Sequence, residues 1–173
     1  MNNSKECTIR AARSGMFALV AGILGATVGM ASAAENACVQ AFPDDITLRA
    51  AIDAAPANPK KHYTIVLTDD CTLEDGLQEV NSRISIVGNG KDINADFGGL
   101  GDYIFIVGET GNLILNDVNL INTVTTDAAG AIVNDGGTVT YNGGLISGFL
   151  TLVGAIINFD SKMTLNGVTI GNN

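Results

Sequence analysis

The sequence predicts an all-β chain: a parallel β-helix (a solenoid) closed at its N-terminal end by one short helix. Three observations lead there. Short apolar segments rich in Val, Ile and Leu alternate with glycine and asparagine corners. Two unrelated motifs recur with one shared period of about 25 residues. Beyond residue 67 no helical periodicity is present.

Composition agrees. Of 173 residues 46% are hydrophobic and only 16% charged, which excludes a disordered chain. The 21 glycines show no Gly-X-Y period, which excludes collagen. A net charge of −9 argues against a nucleic acid partner, whose phosphates need a basic surface.

Residues 1–33 read as a secretory signal peptide. Lys5, Arg10 and Arg13 form the basic start, residues 17–30 are apolar and small, and Ala31-Ser32-Ala33 offers cleavage after Ala33. The rival is an uncleaved anchor, because residues 14–34 carry no charge. Cleavage shortens the chain to about 140 residues. The nine basic residues fall to six and the eighteen acidic to seventeen, so the net charge becomes −11. Export places the chain in the periplasm, on the outer membrane or cell surface, or outside the cell. The remaining Cys38 and Cys71 are an even pair in an oxidising compartment and are a candidate disulfide, against the alternative of two buried thiols.

The N-terminal cap is expected over residues 34–81. Leu48, Ala51, Ile52 and Ala55 share one helical face, predicting a helix over 45–55, capped by Asp44 or Asp45 and stopped by Pro56. Tyr63-Thr64-Ile65-Val66-Leu67 is a strand.

Residues 82–173 form the coils. Gly130-Ala131-Ile132-Val133-Asn134 recurs as Gly154-Ala155-Ile156-Ile157-Asn158, and Val139-Thr140-Tyr141-Asn142-Gly143 recurs as Met163-Thr164-Leu165-Asn166-Gly167, both at one offset. Leu113 matches Val139, and Phe105-Ile106-Val107 matches Ala131-Ile132-Val133, both at an offset longer by two. Ile84-Ser85-Ile86 opens an earlier turn. The period contains no helix and is too short for a propeller blade, so each period is one coil. Alternation sends Leu113, Leu115, Val139, Tyr141, Met163 and Leu165 inward, with Ile114, Thr140 and Thr164 outward. Ile132 and Val133 cannot both point inward without a bend. Asn116, Asn142 and Asn166 are equivalent, as are Asn134 and Asn158. They are expected to stack as structural asparagine ladders at strand ends. The polar loop 89–102 departs from the repeat. Val168-Thr169-Ile170 is a last strand, equivalent to Leu120-Ile121, and leaves the C-terminal coil end uncapped and open to self-association.

Ile46-Thr47-Leu48-Arg49-Ala50-Ala51-Ile52-Asp53-Ala54-Ala55 followed by Tyr63-Thr64-Ile65-Val66-Leu67 resembles the CSLREAI-type N-terminal element of secreted right-handed parallel β-helix proteins. Ile46, Ala50 and Pro56 stand where that element has cysteine, glutamate and asparagine. The G-A-I-x-N repeats are similar to the same group and its relatives among polymorphic outer-membrane proteins, adhesins and the pectin-lyase-like superfamily. The resemblance implies a right-handed coil with the helix as its lid.

No catalytic residue, metal site or cofactor is read from the sequence. His62 is the single histidine; Lys162 is the only basic residue after Lys91. The carboxylates form no repeat-aligned pair of the kind that lyases and glycosidases need. Gly88-Asn89-Gly90 and Gly98-Gly99 are turns without the strand–loop–helix context of a phosphate loop. Only Thr138-Val139-Thr140 approaches an ice-binding array. The expectation is a non-catalytic, adhesin-like or surface-associated protein. Its expected partner is a surface polysaccharide or a cell-surface protein. The alternative is a polysaccharide-acting enzyme or its truncated remnant.

Overall fold

The computed structural model describes residues 35–40, 46–55, 60–97, 102–124, 129–151 and 154–173. The chain divides into two units, Met1–Met30 and Ala31–Asn173. The first unit, with the expected signal peptide and the cleavage point after Ala33, lies outside the described residues. No helix among the described residues is long and apolar enough to cross a membrane.

The second unit is an all-β solenoid of about four turns with one short helix. The helix α1 spans Leu48–Asp53, shorter than the expected 45–55. Its N-cap is Thr47, whose hydroxyl accepts the Ala50 N–H at 3.2 Å. An extended Thr47 with a hydroxyl positioned to cap ends the helix there. Asp44, Asp45 and Pro56 lie outside the described residues. The helix buries Leu48 and Ile52, the one apolar stripe that so short a helix can offer.

Strands β1 (His62–Val66), β3 (Arg83–Ala95), β5 (Asn112–Asn122), β7 (Thr138–Asn142) and β10 (Lys162–Asn166) pair in parallel in that order. Thus β1, expected in the cap, is already the first rung. Strands β2 (Cys71–Leu73), β8 (Leu145–Ser147) and β11 (Thr169–Gly171) join the same sheet. A second sheet stacks β4 (Tyr103–Val107), β6 (Gly130–Asp135) and β9 (Ile156–Phe159).

Register makes the core a set of columns. Tyr63, Ile84, Leu113, Val139 and Met163 stack; so do Ile65, Ile86, Leu115, Tyr141 and Leu165; so do Cys71, Ile93, Leu120, Ile146 and Ile170. Like stacks on like because the coil repeats its geometry, and each buried member is removed from water by the coil on either side.

One expectation is corrected by the second sheet and one by the first. Phe105 pairs with Ile132, not Ala131, so the offset there is longer by one than the repeat suggests. A slip of one position would turn every side chain over. The observed register keeps Phe105 and Ile132 fully buried and sends Ile106 and Val133 outward. No bend is therefore needed at Ile132-Val133. The departure expected over 89–102 is narrower: residues 91–95 are ladder, and only residues 88–90 interrupt the register, opposite the single residue Asp117. Residues 98–101 lie outside the described ones.

Tyr141 is the largest fully buried side chain. Its hydroxyl donates to the carbonyl of Val118 in β5 at 2.6 Å, beside the bend that joins β7 to β8. Gly144 makes that bend (φ +90°), and a Cβ there would overlap the same carbonyl oxygen. Burial pushes the Tyr141 phenol well above its ordinary pKa.

Candidate functional site

The outward positions of the main sheet form a regular wall. One row reads Thr64, Ser85, Ile114, Thr140, Thr164; the next reads Val66, Val87, Asn116, Asn142, Asn166. Neighbouring strands of a sheet are about 4.8 Å apart, so the wall presents side chains at that spacing. A third row, His62, Arg83, Asn112, Thr138 and Lys162, carries the only charges of these three rows, and none is a carboxylate. On a chain so rich in acids this is a local exception. His62 begins β1, exposed, in register with Arg83.

The asparagines of the wall are bonded to one another. Asn116 Nδ2 donates to Ser85 Oγ at 3.2 Å, Asn142 Nδ2 to Asn116 Oδ1 at 2.9 Å and Asn166 Nδ2 to Asn142 Oδ1 at 2.7 Å. Within the row an amide both gives and receives, so the row holds its own side chains still. A second, shorter run lies on the other sheet, where Asn134 Nδ2 donates to Asn158 Oδ1 at 2.8 Å and to the Lys162 carbonyl at 3.1 Å. Asn134 stacks on Val107, and its Oδ1 is buried without a hydrogen-bond partner among the described residues. The valine side chain has no donor to offer it.

An acidic corner borders the wall. A depression of about 340 Å³ is lined by Glu79, Asn81, Gly108, Glu109, Thr110 and Asp135. A second depression of about 300 Å³, lined in part by Ile52, Asp53 and Gln78, shares Glu79 and Asn81 with it. Gly108 lies directly beneath Glu79 Oε1 and Asn81 Oδ1, so a Cβ there would make both side chains shift. Three carboxylates from three successive coils therefore share one depression. No Lys, Arg or His lines it, and among the described residues no group of His, Cys, Asp and Glu is arranged to hold a metal ion. This corner is invisible in the repeat alignment. Glu79 precedes Val80, Glu109 lies just beyond Val107 and Asp135 directly follows Asn134, so the stacking of Val80, Val107 and Asn134 brings the three acids together from unequal repeat positions.

The N-terminal end is fastened. Cys38 and Cys71 form a disulfide, both fully buried. Arg49 on α1 donates to Glu35 Oε1 at 2.6 and 2.9 Å and to the carbonyls of Gly76 and Asp75, each at 2.9 Å. The hydrogen bond to Glu35 holds the guanidinium in its charged form. Asn36 donates to the Asp70 carbonyl at 2.7 Å and accepts the Thr72 N–H at 2.9 Å, bonding the first coil as another strand would.

The C-terminal coil is different. Leu165 is 41% exposed and Ile170 50%, although Tyr141 and Ile146, one rung earlier in their columns, are fully buried. Leu150 and Phe159 are exposed as well.

Comparison with family models, with curated proteins and with solved structures finds no match to this chain.

Proposed function

We propose that this is an exported, non-catalytic β-helix protein with an adhesin-like or surface-associated role. On this reading it is related to the CSLREAI-type secreted proteins and, more distantly, to the pectin-lyase-like superfamily. The wall formed by β1, β3, β5, β7 and β10 is the observation that carries the reading. Across β5, β7 and β10 it carries the amides of Asn116, Asn142 and Asn166 at strand spacing, interlocked by hydrogen bonds, with the hydroxyls of Thr140 and Thr164 in the neighbouring row. Such a surface suits an extended partner, a surface polysaccharide or an exposed segment of a cell-surface protein, because little side-chain entropy is lost on contact. The exposed apolar side chains of the last coil supply, on this reading, a surface for self-association.

The test is a binding screen of the intact protein on neutral and acidic polysaccharides and on whole cells. The wall variant Thr140→Arg, which adds bulk and charge outside the core, is run in parallel. Binding lost in the variant supports the reading, and equal binding by both overturns the wall as the site. Sedimentation across a concentration series tests self-association; a strict monomer throughout overturns it.

A second reading, a polysaccharide-acting enzyme or a remnant of one, is favoured by Glu79, Glu109 and Asp135 in one depression. Release of reducing ends or unsaturated sugars by the protein, lost in Glu79→Gln or Glu109→Gln, would replace the first reading with this one.

A further inference from the structure

The chain contains three Asn–Gly pairs: Asn89–Gly90, Asn142–Gly143 and Asn166–Gly167. Each has the composition that favours spontaneous loss of the side-chain amide. The backbone nitrogen of the glycine attacks the asparagine Cγ, a C–N bond forms and ammonia leaves. Water then opens the cyclic imide at either carbonyl, giving aspartate or isoaspartate. The net change is one water consumed and one ammonia released, with no oxidant. Glycine leaves the attack unhindered because it lacks a Cβ. Sequence treats the three pairs alike, and the structure separates them.

Asn142 is held at every atom the reaction uses. Its Nδ2 donates to Asn116 Oδ1 at 2.9 Å and its Oδ1 accepts from Asn166 Nδ2 at 2.7 Å. The attacking group is engaged too: the Gly143 N–H donates to the Asn166 carbonyl at 2.8 Å. Two side-chain bonds must break before Cγ can turn, and a third before the nitrogen is free. Asn166 keeps one side-chain bond, to Asn142.

Asn89 is the opposite case. It sits in the short interruption between Val87 and Lys91, outside the ladder register, and is exposed. Its φ is +53° and that of Gly90 is +80°, and no side-chain hydrogen bond holds Asn89 among the described residues. A Cβ on Gly90 would meet only Asp117 Oδ2, at 4.0 Å. Asn89 and Gly90 are both exposed, and the Gly90 carbonyl accepts from Asn119 Nδ2 at 3.1 Å, leaving the Asn89 side chain itself unheld.

We propose that Asn89 is a site of spontaneous deamidation, and that the asparagine ladder shields Asn142 from the same reaction. The product places a new carboxylate on a turn that lies close to the ladder residue Asp92 and opposite Asp117, deepening the negative charge at that edge of the wall.

The experiment incubates the intact protein at mildly alkaline pH, then digests it and separates the peptides by mass spectrometry with isoaspartate detection. The denatured chain is carried in parallel as the unprotected reference. Asn89 is expected to convert in the folded protein at a rate close to that in the denatured chain. Asn142 is expected to convert at least about tenfold more slowly than when denatured, because it reacts only through local opening. Equal protection of Asn89 and Asn142, or conversion of Asn142 at its denatured rate, would overturn the proposal.

Discussion

The first coil and the last described coil of this solenoid are built from the same repeat and differ in what covers them. At the first coil the column Cys71–Ile93–Leu120–Ile146–Ile170 begins inside a buried disulfide, beneath a helix and an arginine bonded to Glu35 and two carbonyls. At the last described coil the same column ends on Ile170, half exposed. The same isoleucine in the same column thus has a different energetic worth at Ile93 and Ile146, both fully buried, and at Ile170. A coil stabilises its neighbours, and among the described residues the last coil packs against one.

The largest test of that difference removes the fastening. Cys38→Ser opens a bridge across a sequence separation of 33, which lowers stability by roughly 4 kcal/mol in the chain-entropy account. Denaturant titration of variant and wild type measures it. A loss under about 1 kcal/mol would mean that the hydrogen bonds of Asn36 and Arg49 hold this end without the bridge.

Next comes a matched pair in one column. Leu115→Ala empties a fully buried site and is expected to lower stability by about 3 kcal/mol. Leu165→Ala, two coils on and partly in water, is expected to lower it by less than about 1 kcal/mol. Equal losses would show that the last described coil is covered in solution.

Tyr141→Phe keeps the ring and removes the donor to the Val118 carbonyl, lowering stability by about 1 to 2 kcal/mol. The same burial gives a pH signature. The phenol is held protonated in the fold and ionises near its ordinary pKa of about 10 once unfolded. Its folded pKa is the higher one, so its contribution is complete below about pH 10 and declines as pH rises above it. A thermal-melting series from neutral to alkaline pH should show wild type losing stability faster than Tyr141→Phe.

The smallest effects separate two ion pairs of the first coil. Arg49→Ala loses a bonded network that is partly buried, and about 1 kcal/mol is expected. Lys91→Ala loses a 3.7 Å contact with the exposed Asp69, worth close to nothing in solvent. Denaturant midpoints of the two variants, compared with wild type, check both.

How much of the molecule is legible in the sequence depends on which spacing carries the information. The coil is legible because Val139-Thr140-Tyr141-Asn142 and Met163-Thr164-Leu165-Asn166 repeat both period and alternation, and they pair residue for residue. The Phe105 register is not, because Ile106-Val107 and Ile132-Val133 are interchangeable as letters. Only burial of Phe105 against Ile132 chooses between the two offsets. The helix looks longer in the sequence than in the fold because alanines extend a helical face on paper, while the hydroxyl of Thr47 starts it later. The acidic corner is not legible at all. Glu79, Glu109 and Asp135 stand at different offsets from the stacked Val80, Val107 and Asn134, so no periodic rule aligns them.

The parallel ladder also has a kinetic meaning. His62 pairs with Arg83, and Arg83 with Asn112, so each added rung closes a loop of roughly 20 to 30 residues. Closure entropy changes little across that range. The first coil closes its loop with no rung beneath it, and every later coil docks on a finished template. The coil that forms against the greatest entropic resistance is the one the bridge ties down. Growth is thus expected to start at the bound end and run toward Ile170, and unfolding to fray back along the same path. Amide exchange resolved by residue would show it as a gradient along each column.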